Sequence, residues 1–263
     1  MSAQLGIAEL LAPMRADPAA SAVLLDIDGT LAPIVRHHSD ANVPEPTRVK
    51  LIALAKRYRI VACVSGRAAA DARRIVSIGS IAYIGNHGCE LLAAGATETV
   101  VDPLVEAWTE RVAAFADHVD TRTLQQLRVR REDKGPIIGF HWRGAPNEAA
   151  ALAAIARIDA AAHAAGLEAR HGRKVLEIRP PVPISKGRGI HWLLGGDPPA
   201  HGIYVGDDLT DLDAFEGLRE VLGDGAVCIG VASDETPDEL TEAADAMVDG
   251  PDGVARLLGE LLG

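Results

Sequence analysis

Val23-Leu24-Leu25-Asp26-Ile27-Asp28-Gly29-Thr30 is an apolar run that ends in two carboxylates two residues apart. The run reads as a buried parallel strand, and the pleat period of two puts both acids on the same side. In open α/β sheets, ligands bind just beyond the carboxyl ends of the strands. Two close carboxylates repel, and the usual offsets are a divalent cation or a shared proton. Gly29 permits a sharp turn after them. Such a pair suits phosphoryl transfer. One carboxylate attacks phosphorus, and the other gives a proton to the leaving alcohol and later takes one from water. The plainer alternative is an Asp-Gly turn closing a strand, with both acids solvated.

The same rhythm repeats around this stretch. Gln4 to Met14 has helical apolar spacing. Pro46 to Tyr58 reads as a helix burying Val49, Leu51, Ile52, Leu54 and Ala55. Ile60 to Val64 is an apolar strand ending in Ser65-Gly66-Arg67; helix 68–76 follows, then strand 81–84 ending in Gly85-Asn86-His87-Gly88. Near Asp102-Pro103 the pattern changes to helix 104–119, strands over 126–131 and 136–143, an Ala-rich helix 146–165, and strands 168–170 and 174–179. Pro180-Pro181-Val182-Pro183 is a stiff exit. Then Ser185 caps a helix 186–194, strand 203–205 ends in Gly206-Asp207-Asp208, and helix 211–219, strand 226–231 and helix 251–262 close the chain. The fold expected is α/β: a Rossmann-like parallel-sheet core, residues 1–103 and 183–263, with a smaller α+β insertion at 104–182.

Four of these strand ends and helix starts carry polar chemistry. Asp207 and Asp208, with Asp211 and Asp213 beyond, could be an acidic first turn complementing a helix dipole. Together with the first pair they make better sense as one Mg²⁺ site. Asp26 and Asp207 are its carboxylate ligands, and the Asp28 carbonyl and waters complete an octahedron. Ser65 and the backbone N–H after it can hold phosphate oxygens, and Arg67 adds a cation. Lys186 opens a helix, where the dipole disfavours a cation, so bound phosphate and carboxylates facing it would explain it better than solvent.

The chain has 263 residues, 48% of them hydrophobic and only 3% aromatic, so the core is aliphatic. A net charge of −11 argues against a nucleic-acid or anionic-membrane partner. No apolar stretch is long enough to span a bilayer. Three scattered cysteines fit a reducing compartment, and no basic segment precedes an apolar one at the start. The expectation is a cytoplasmic protein.

These motifs resemble the haloacid dehalogenase superfamily of phosphatases over the whole chain. The resemblance implies Asp26 as nucleophile, Asp28 as general acid/base, Ser65 and Lys186 as phosphate ligands, Asp207 as metal ligand, and Asp208 and Asp211 orienting metal and water. The insertion falls where that superfamily carries its C2-type cap. The finer pattern is similar to the trehalose-6-phosphate phosphatases: DxDGTLxPI at Asp26–Ile34, SGR at Ser65–Arg67, Gly-x-His-Gly at Gly85–Gly88, Glu132-Asp133-Lys134, His141-Trp142-Arg143, Glu177-x-Arg179-Pro180, Ser185-Lys186-Gly187 and GDDxTDxDAF at Gly206–Phe215. Leu212 and Trp142 depart from the pattern, and neither is a proposed catalytic group.

The activity implied is Mg²⁺-dependent hydrolysis of trehalose 6-phosphate through an aspartyl phosphate. Arg67, Asn86, His87, Glu132, Lys134, Arg143, Glu177 and Arg179 would bind this substrate. Arg143 and Arg179 could steer the phosphate or form cap ion pairs, His87 could be a loop histidine, and His141 is structural. The rivals are another sugar phosphate (a sucrose, mannosylglycerate or glucosylglycerol precursor), a phosphomutase, and a non-catalytic sensor or subunit of a synthase complex. A small molecule is the expected partner, with the protein a monomer that could associate with trehalose-6-phosphate synthase.

Overall fold

The computed structural model describes residues 6–35, 40–172 and 174–263. These fall into two compact units: residues 101–183 form one, and the segments before and after them form the other.

The larger unit begins with two short helices, α1 (Ile7–Leu10) and α2 (Ala12–Ala16), where the sequence suggested one over 4–14. Pro13 sits in the first turn of α2, where its missing N–H costs nothing. Gln4 and Leu5 of that expected helix lie outside the described residues. There follow β1 (Ser21–Leu25), α3 (Glu45–Arg57), β2 (Ile60–Val64), α4 (Ala69–Val76), β3 (Ala82–Gly85), β4 (Glu90–Leu92) and β5 (Val100–Val101).

The smaller unit contains α5 (Pro103–Val119), α6 (Arg122–Gln126), β6 (Arg130–Asp133), β7 (Ile138–His141), α7 (Glu148–Ala164), β8 (Glu168–Gly172) and β9 (Val175–Arg179). The chain then returns through α8 (Lys186–Leu194), β10 (His201–Gly206), α9 (Thr210–Leu222), β11 (Ala226–Ala232), α10 (Asp238–Ala243), β12 (Ala246–Asp249) and α11 (Gly250–Leu262).

The large sheet has the order β12-β11-β10-β1-β2-β3-β4-β5. From β12 to β3 every pairing is parallel. β1 is buried along its whole length, and its side chains alternate between two cores. Val23 and Leu25 join Leu51 and Leu54 of α3, Ala72 and Ile75 of α4 and Leu257 of α11 on one face. Ala22 and Leu24 join Ile190 of α8, Phe215 of α9 and Leu240 of α10 on the other. Burying one such leucine contributes roughly 1.5–3 kcal/mol. The continuous apolar run in β1 thus reflects burial on both faces.

Successive strands run from β1 to β2 and β3 on one side, and β10, β11 and β12 lie on the other. The order therefore reverses between β1 and β10. Ligands of open α/β sheets bind at such a switch point. The register Leu25↔Val205, Leu25↔Cys63 and Val64↔Ile84 brings the ends of β10, β1, β2 and β3 level.

Several expectations are corrected. β3 and β4 pair antiparallel, so the sheet edge is not parallel. On α3, Val49 and Ile52 are 60% and 40% exposed; Thr47, Leu51 and Leu54 form its buried side. The strand expected over 126–131 is instead the end of α6 followed by β6. Leu124 packs into the core as a helical residue, and Arg128, at φ 56°, breaks the chain out of the helix before the strand starts.

In the smaller unit the antiparallel sheet has the order β6-β7-β9-β8. Ile138, Phe140, Leu176 and Ile178 point to one face and pack with Val112 and Ala116 of α5 and Ala151, Ala154, Ile155 and Ile158 of α7. The side chain of Asn147 caps α7 by accepting from Ala150 N–H at 3.0 Å. The opposite face carries the row Glu132, Gly139, Glu177 and Arg170, aligned by strand register.

Candidate active site

Asp26 follows β1 directly, and its backbone N–H donates to Val205 O at 2.9 Å, so the β1–β10 ladder continues through it. Its carboxylate is buried. Lys186, the first residue of α8, is also buried, and its ammonium donates to Asp26 Oδ1 at 2.8 Å and to Asp211 Oδ1 at 2.7 Å. Ser185 caps the same helix by accepting from Arg188 N–H at 3.2 Å, as the sequence suggested. A lysine at a helix start is tolerated here because two carboxylates face it.

Asp211, fully buried in the first turn of α9, is filled on all sides. Oδ1 accepts from Lys186 and from the Tyr204 hydroxyl at 2.6 Å. Oδ2 accepts from the backbone N–H groups of Asp207 at 2.8 Å and Asp208 at 3.0 Å. Those four donors use its four lone-pair sites. Asp211 therefore holds the β10–α9 turn in shape around Lys186. Gly206 makes this possible, since a Cβ there would stand 2.2 Å from Asp211 Cγ.

Asp207 accepts the Thr30 hydroxyl at 3.0 Å on Oδ1. Gly29 turns with φ +91°, and a Cβ on it would stand 2.1 Å from Asp207 Oδ2. That glycine lets the Asp207 carboxylate lie against the Asp28–Thr30 turn. Carboxylate oxygens of Asp26, Asp207 and Asp211 all come within 4.8 Å of one another. Because Asp211 is saturated, Asp26 and Asp207 are the two with coordination to spare. An all-oxygen donor set of this kind suits a hard divalent cation.

The electrostatics agree. Burial pushes the Asp26 carboxyl well above its usual range, the Lys186 ammonium opposes this, and Asp211, Asp207 and Asp208 reinforce it. Asp207 is pushed up to about 7 by burial and by Asp211 and Asp208, against the pull of Thr30 and Lys186. Burial alone would lower the Lys186 ammonium, but Asp211 and Asp26 beside it raise it well above its ordinary value. One ammonium among so many carboxylates leaves uncompensated negative charge.

Arg67 clasps Asp28 as a fork, with Nε to Oδ2 at 2.5 Å and Nη2 to Oδ1 at 2.6 Å. Ser65 is buried after β2, and its hydroxyl accepts from Arg67 N–H at 3.2 Å. Asn86 and His87 form the turn after β3 with φ 48° and 57°. The His87 ring lies over Gly66, whose Cβ position is 2.6 Å from the ring. Asp208 is exposed and accepts from Thr210 N–H at 2.8 Å and its hydroxyl at 2.6 Å.

In the smaller unit, the face of the sheet away from its helices carries a chain of alternating charges, in which Glu177 and Arg179 are buried. His141 Nε2 lies 2.6 Å from Glu132 Oε2. Lys134 donates to Glu177 Oε1 at 2.9 Å and lies 3.9 Å from Glu132. Arg179 pairs with the other Glu177 oxygen. Arg143 stands in the turn after β7.

The structure thus brings Asp26, Lys186, Asp207 and Asp211 into one cluster and Arg67 onto Asp28, and it joins Glu132, Lys134, Glu177 and Arg179 on one face. Thr30 and Tyr204 were missed as contributors. Tyr204 had one signal: a hydroxyl inside a fully buried strand, close to an acidic cluster, must find a partner.

A family model for trehalose-phosphatase matches residues 24–248. A trehalose-phosphate phosphatase from Mycobacterium marinum is 34% identical over 254 residues, which cover 91% of this chain and 61% of that protein. A Mycobacterium tuberculosis protein described as an uncharacterized glycosyl hydrolase is 36% identical over 214 residues, 75% of this chain and 15% of its own length. The chain therefore spans less than two thirds of these curated relatives. Among solved structures, the C-terminal domain of C. albicans trehalose-6-phosphate phosphatase superposes with a TM-score of 0.74 at 22% identity, covering 100% of this chain and 99% of that one. The fold is that of the haloacid dehalogenase-like hydrolases, and with the family model matched across both units, the chain belongs to the trehalose-phosphatase family.

Proposed function

We propose that the protein hydrolyses trehalose 6-phosphate to trehalose and phosphate, with Asp26 as nucleophile. The observation that carries this reading is the buried Asp26, held on one oxygen by Lys186 at the switch point of the sheet. That bond leaves Oδ2 for attack. Family membership and the relatives named trehalose-phosphate phosphatase support the choice of substrate.

Asp26 and Asp207, with the Asp28 carbonyl, would hold Mg²⁺, which when bound neutralises the crowded carboxylates and the developing charge on the phosphoryl group. Asp26 attacks phosphorus as the P–O6 bond breaks. Asp28, in its acid form, gives its proton to the departing O6. Lys186 has three N–H donors and spends two on Asp26 and Asp211, so the third is free for a phosphoryl oxygen. Ser65 serves another. Arg67 exchanges its fork from Asp28 to phosphate, which matches the same planar geometry. In the second step Asp28 takes a proton from water, the water oxygen bonds to phosphorus, and the P–O bond to Asp26 breaks to release phosphate.

Sugar recognition is assigned to residues 104–182, acting as the cap. Glu132, Lys134 and Glu177 carry acceptors and donors on one polar face, paired with one another there. A site built to pair with hydroxyls discriminates strongly against ligands that lack them.

The test is phosphate release from trehalose 6-phosphate against a panel of phosphorylated disaccharides, with and without Mg²⁺, compared by kcat/KM. The reading expects trehalose 6-phosphate to lead the panel and chelation to stop turnover. A better substrate elsewhere in the panel, or isomerised sugar phosphate without free phosphate, would overturn it.

A further inference from the structure

Glu90 opens β4, is buried, and has no part in the chemistry above. Both of its oxygens accept from the two turns that flank the phosphate end of the site. Oε2 takes the N–H of Ala69, the first residue of α4, at 2.9 Å. Oε1 takes the side-chain N–H of Asn86 at 2.7 Å. Burial pushes the Glu90 carboxyl up, and these two bonds pull it back.

The same two turns are stitched together by backbone. Asn86 N–H donates to Arg67 O at 2.7 Å, His87 N–H to Ser65 O at 3.1 Å, and Ser65 N–H to Ile84 O at 2.9 Å. The turn at 86–88 then meets the start of α8. A Cβ on Gly88 would stand 2.1 Å from Ser185 O, and one on Gly189 would stand 2.8 Å from Gly88 Cα. Backbone therefore touches backbone on one side at Ser65–Ala69 and on the other at Ser185–Gly189. Ser65 and Lys186, far apart in sequence, are placed by elements that both lean on the one turn Glu90 secures.

We infer that Glu90 is a positioning residue that sets the phosphate-holding elements of this site, acting through Ala69 and Asn86 on the Ser65 loop and on the start of α8. The inference rests on the reading of Ser65 and Lys186 as phosphate ligands. The left-handed backbone at Asn86 and His87 is disfavoured in isolation, and the Glu90–Asn86 bond is a fixed reason for it to persist. Glutamine keeps the shape but not the charge: its amide oxygen can take Ala69 N–H, while its NH₂ meets Asn86 only if that amide turns to present Oδ1, so both charge-assisted bonds become neutral ones.

The experiment compares wild type, Glu90→Gln and Glu90→Ala, each alone and combined with Ser65→Ala. Exchanging the charged acceptor for a neutral amide should lower kcat/KM for the sugar phosphate about 10-fold in Glu90→Gln and weaken inhibition by inorganic phosphate by a similar factor. Combined with Ser65→Ala, the loss should be smaller than the product of the two single losses, as expected of residues acting through one element. Amide exchange should quicken at Ala69, Asn86 and His87 in Glu90→Gln and stay unchanged at Val23 in β1. Losses that multiply, kcat/KM within twofold of wild type, or unaltered exchange at those three amides would each overturn the inference. Should wild type release no phosphate from any sugar phosphate, the substrate reading fails, and the exchange measurement still decides whether Glu90 holds the two turns. Glu90→Gln keeps the side-chain volume, so the result stands if Glu90→Ala does not fold.

Discussion

Replacing Lys186 by methionine keeps the volume of the side chain and removes one buried charge. In the native protein the ammonium lies 2.8 Å from Asp26 and 2.7 Å from Asp211, with all three groups buried. The variant leaves two carboxylates facing an apolar thioether. Breaking a buried ion pair on one side costs about 3–5 kcal/mol. At about 2–4 °C per kcal/mol for a unit of this size, the melting temperature should fall by about 6–20 °C in buffer containing EDTA. The loss should be partly repaired by millimolar Mg²⁺, because a cation between Asp26 and Asp207 offsets the same repulsion. Saturation a hundredfold above the dissociation constant contributes about 2.7 kcal/mol. The melting-point gain on adding Mg²⁺ should therefore be larger in the variant than in wild type. Thermal unfolding by circular dichroism, run with EDTA and with Mg²⁺, reads both quantities. A metal-free destabilisation below about 1 kcal/mol, or equal Mg²⁺ gains in the two proteins, would refute the account of Lys186 as counterion to a crowded carboxylate cluster.

Asp26→Asn should reduce turnover by ~10³ or more while leaving the metal-free melting temperature unchanged or higher, since it removes a carboxylate that burial already disfavours; near-normal activity would end its assignment as nucleophile. Gly29→Ala forces a side chain into φ +91° and into the Asp207 carboxylate. It should cost about 1–3 kcal/mol and weaken Mg²⁺ binding, both visible in calorimetry. Asp159, hydrogen-bonded to His171 and paired with His163, has its carboxyl held below the usual range, chiefly by the His171 bond. Because the folded state depresses this pKa, the stabilisation is present above the unfolded value near 3.8 and is lost as pH falls through the lower folded value. Asp159→Asn should thus be less stable than wild type by about 0.2–1 kcal/mol at pH 6 and indistinguishable from it at pH 2, by urea unfolding.

Much of the fold was legible because its signals are local. The apolar runs at 23–25, 60–64 and 203–205 are continuous because β1, β2 and β10 are covered on both faces, and that pattern needs no partner to be recognised. The acids at 26, 28, 207 and 208 could be placed at a strand's carboxyl end by counting. Short elements were another matter. β4 and β5 have three and two residues, too few for periodicity to show. The side of α3 that is buried depended on where α11 and the sheet lie, so Val49 and Ile52 were assigned inward on hydrophobicity alone. Asp211 was expected to orient metal and water. Its four donors come from Lys186, Tyr204 and two backbone amides, a set no spacing rule exposes.

The chain's own order of residues determined the class of fold, the carboxylates at the strand ends and the chemistry those groups suit, because backbone pleat and burial act over a few neighbouring positions. Tertiary structure alone decided which oxygen of Asp26 is free, that Arg67 rests on Asp28, that Asp211 is saturated, and that Glu90 holds two distant turns. Those outcomes depend on contacts between segments up to 160 residues apart. Hydrogen-bond directions and buried charge are set only when such segments close around one another and exclude water.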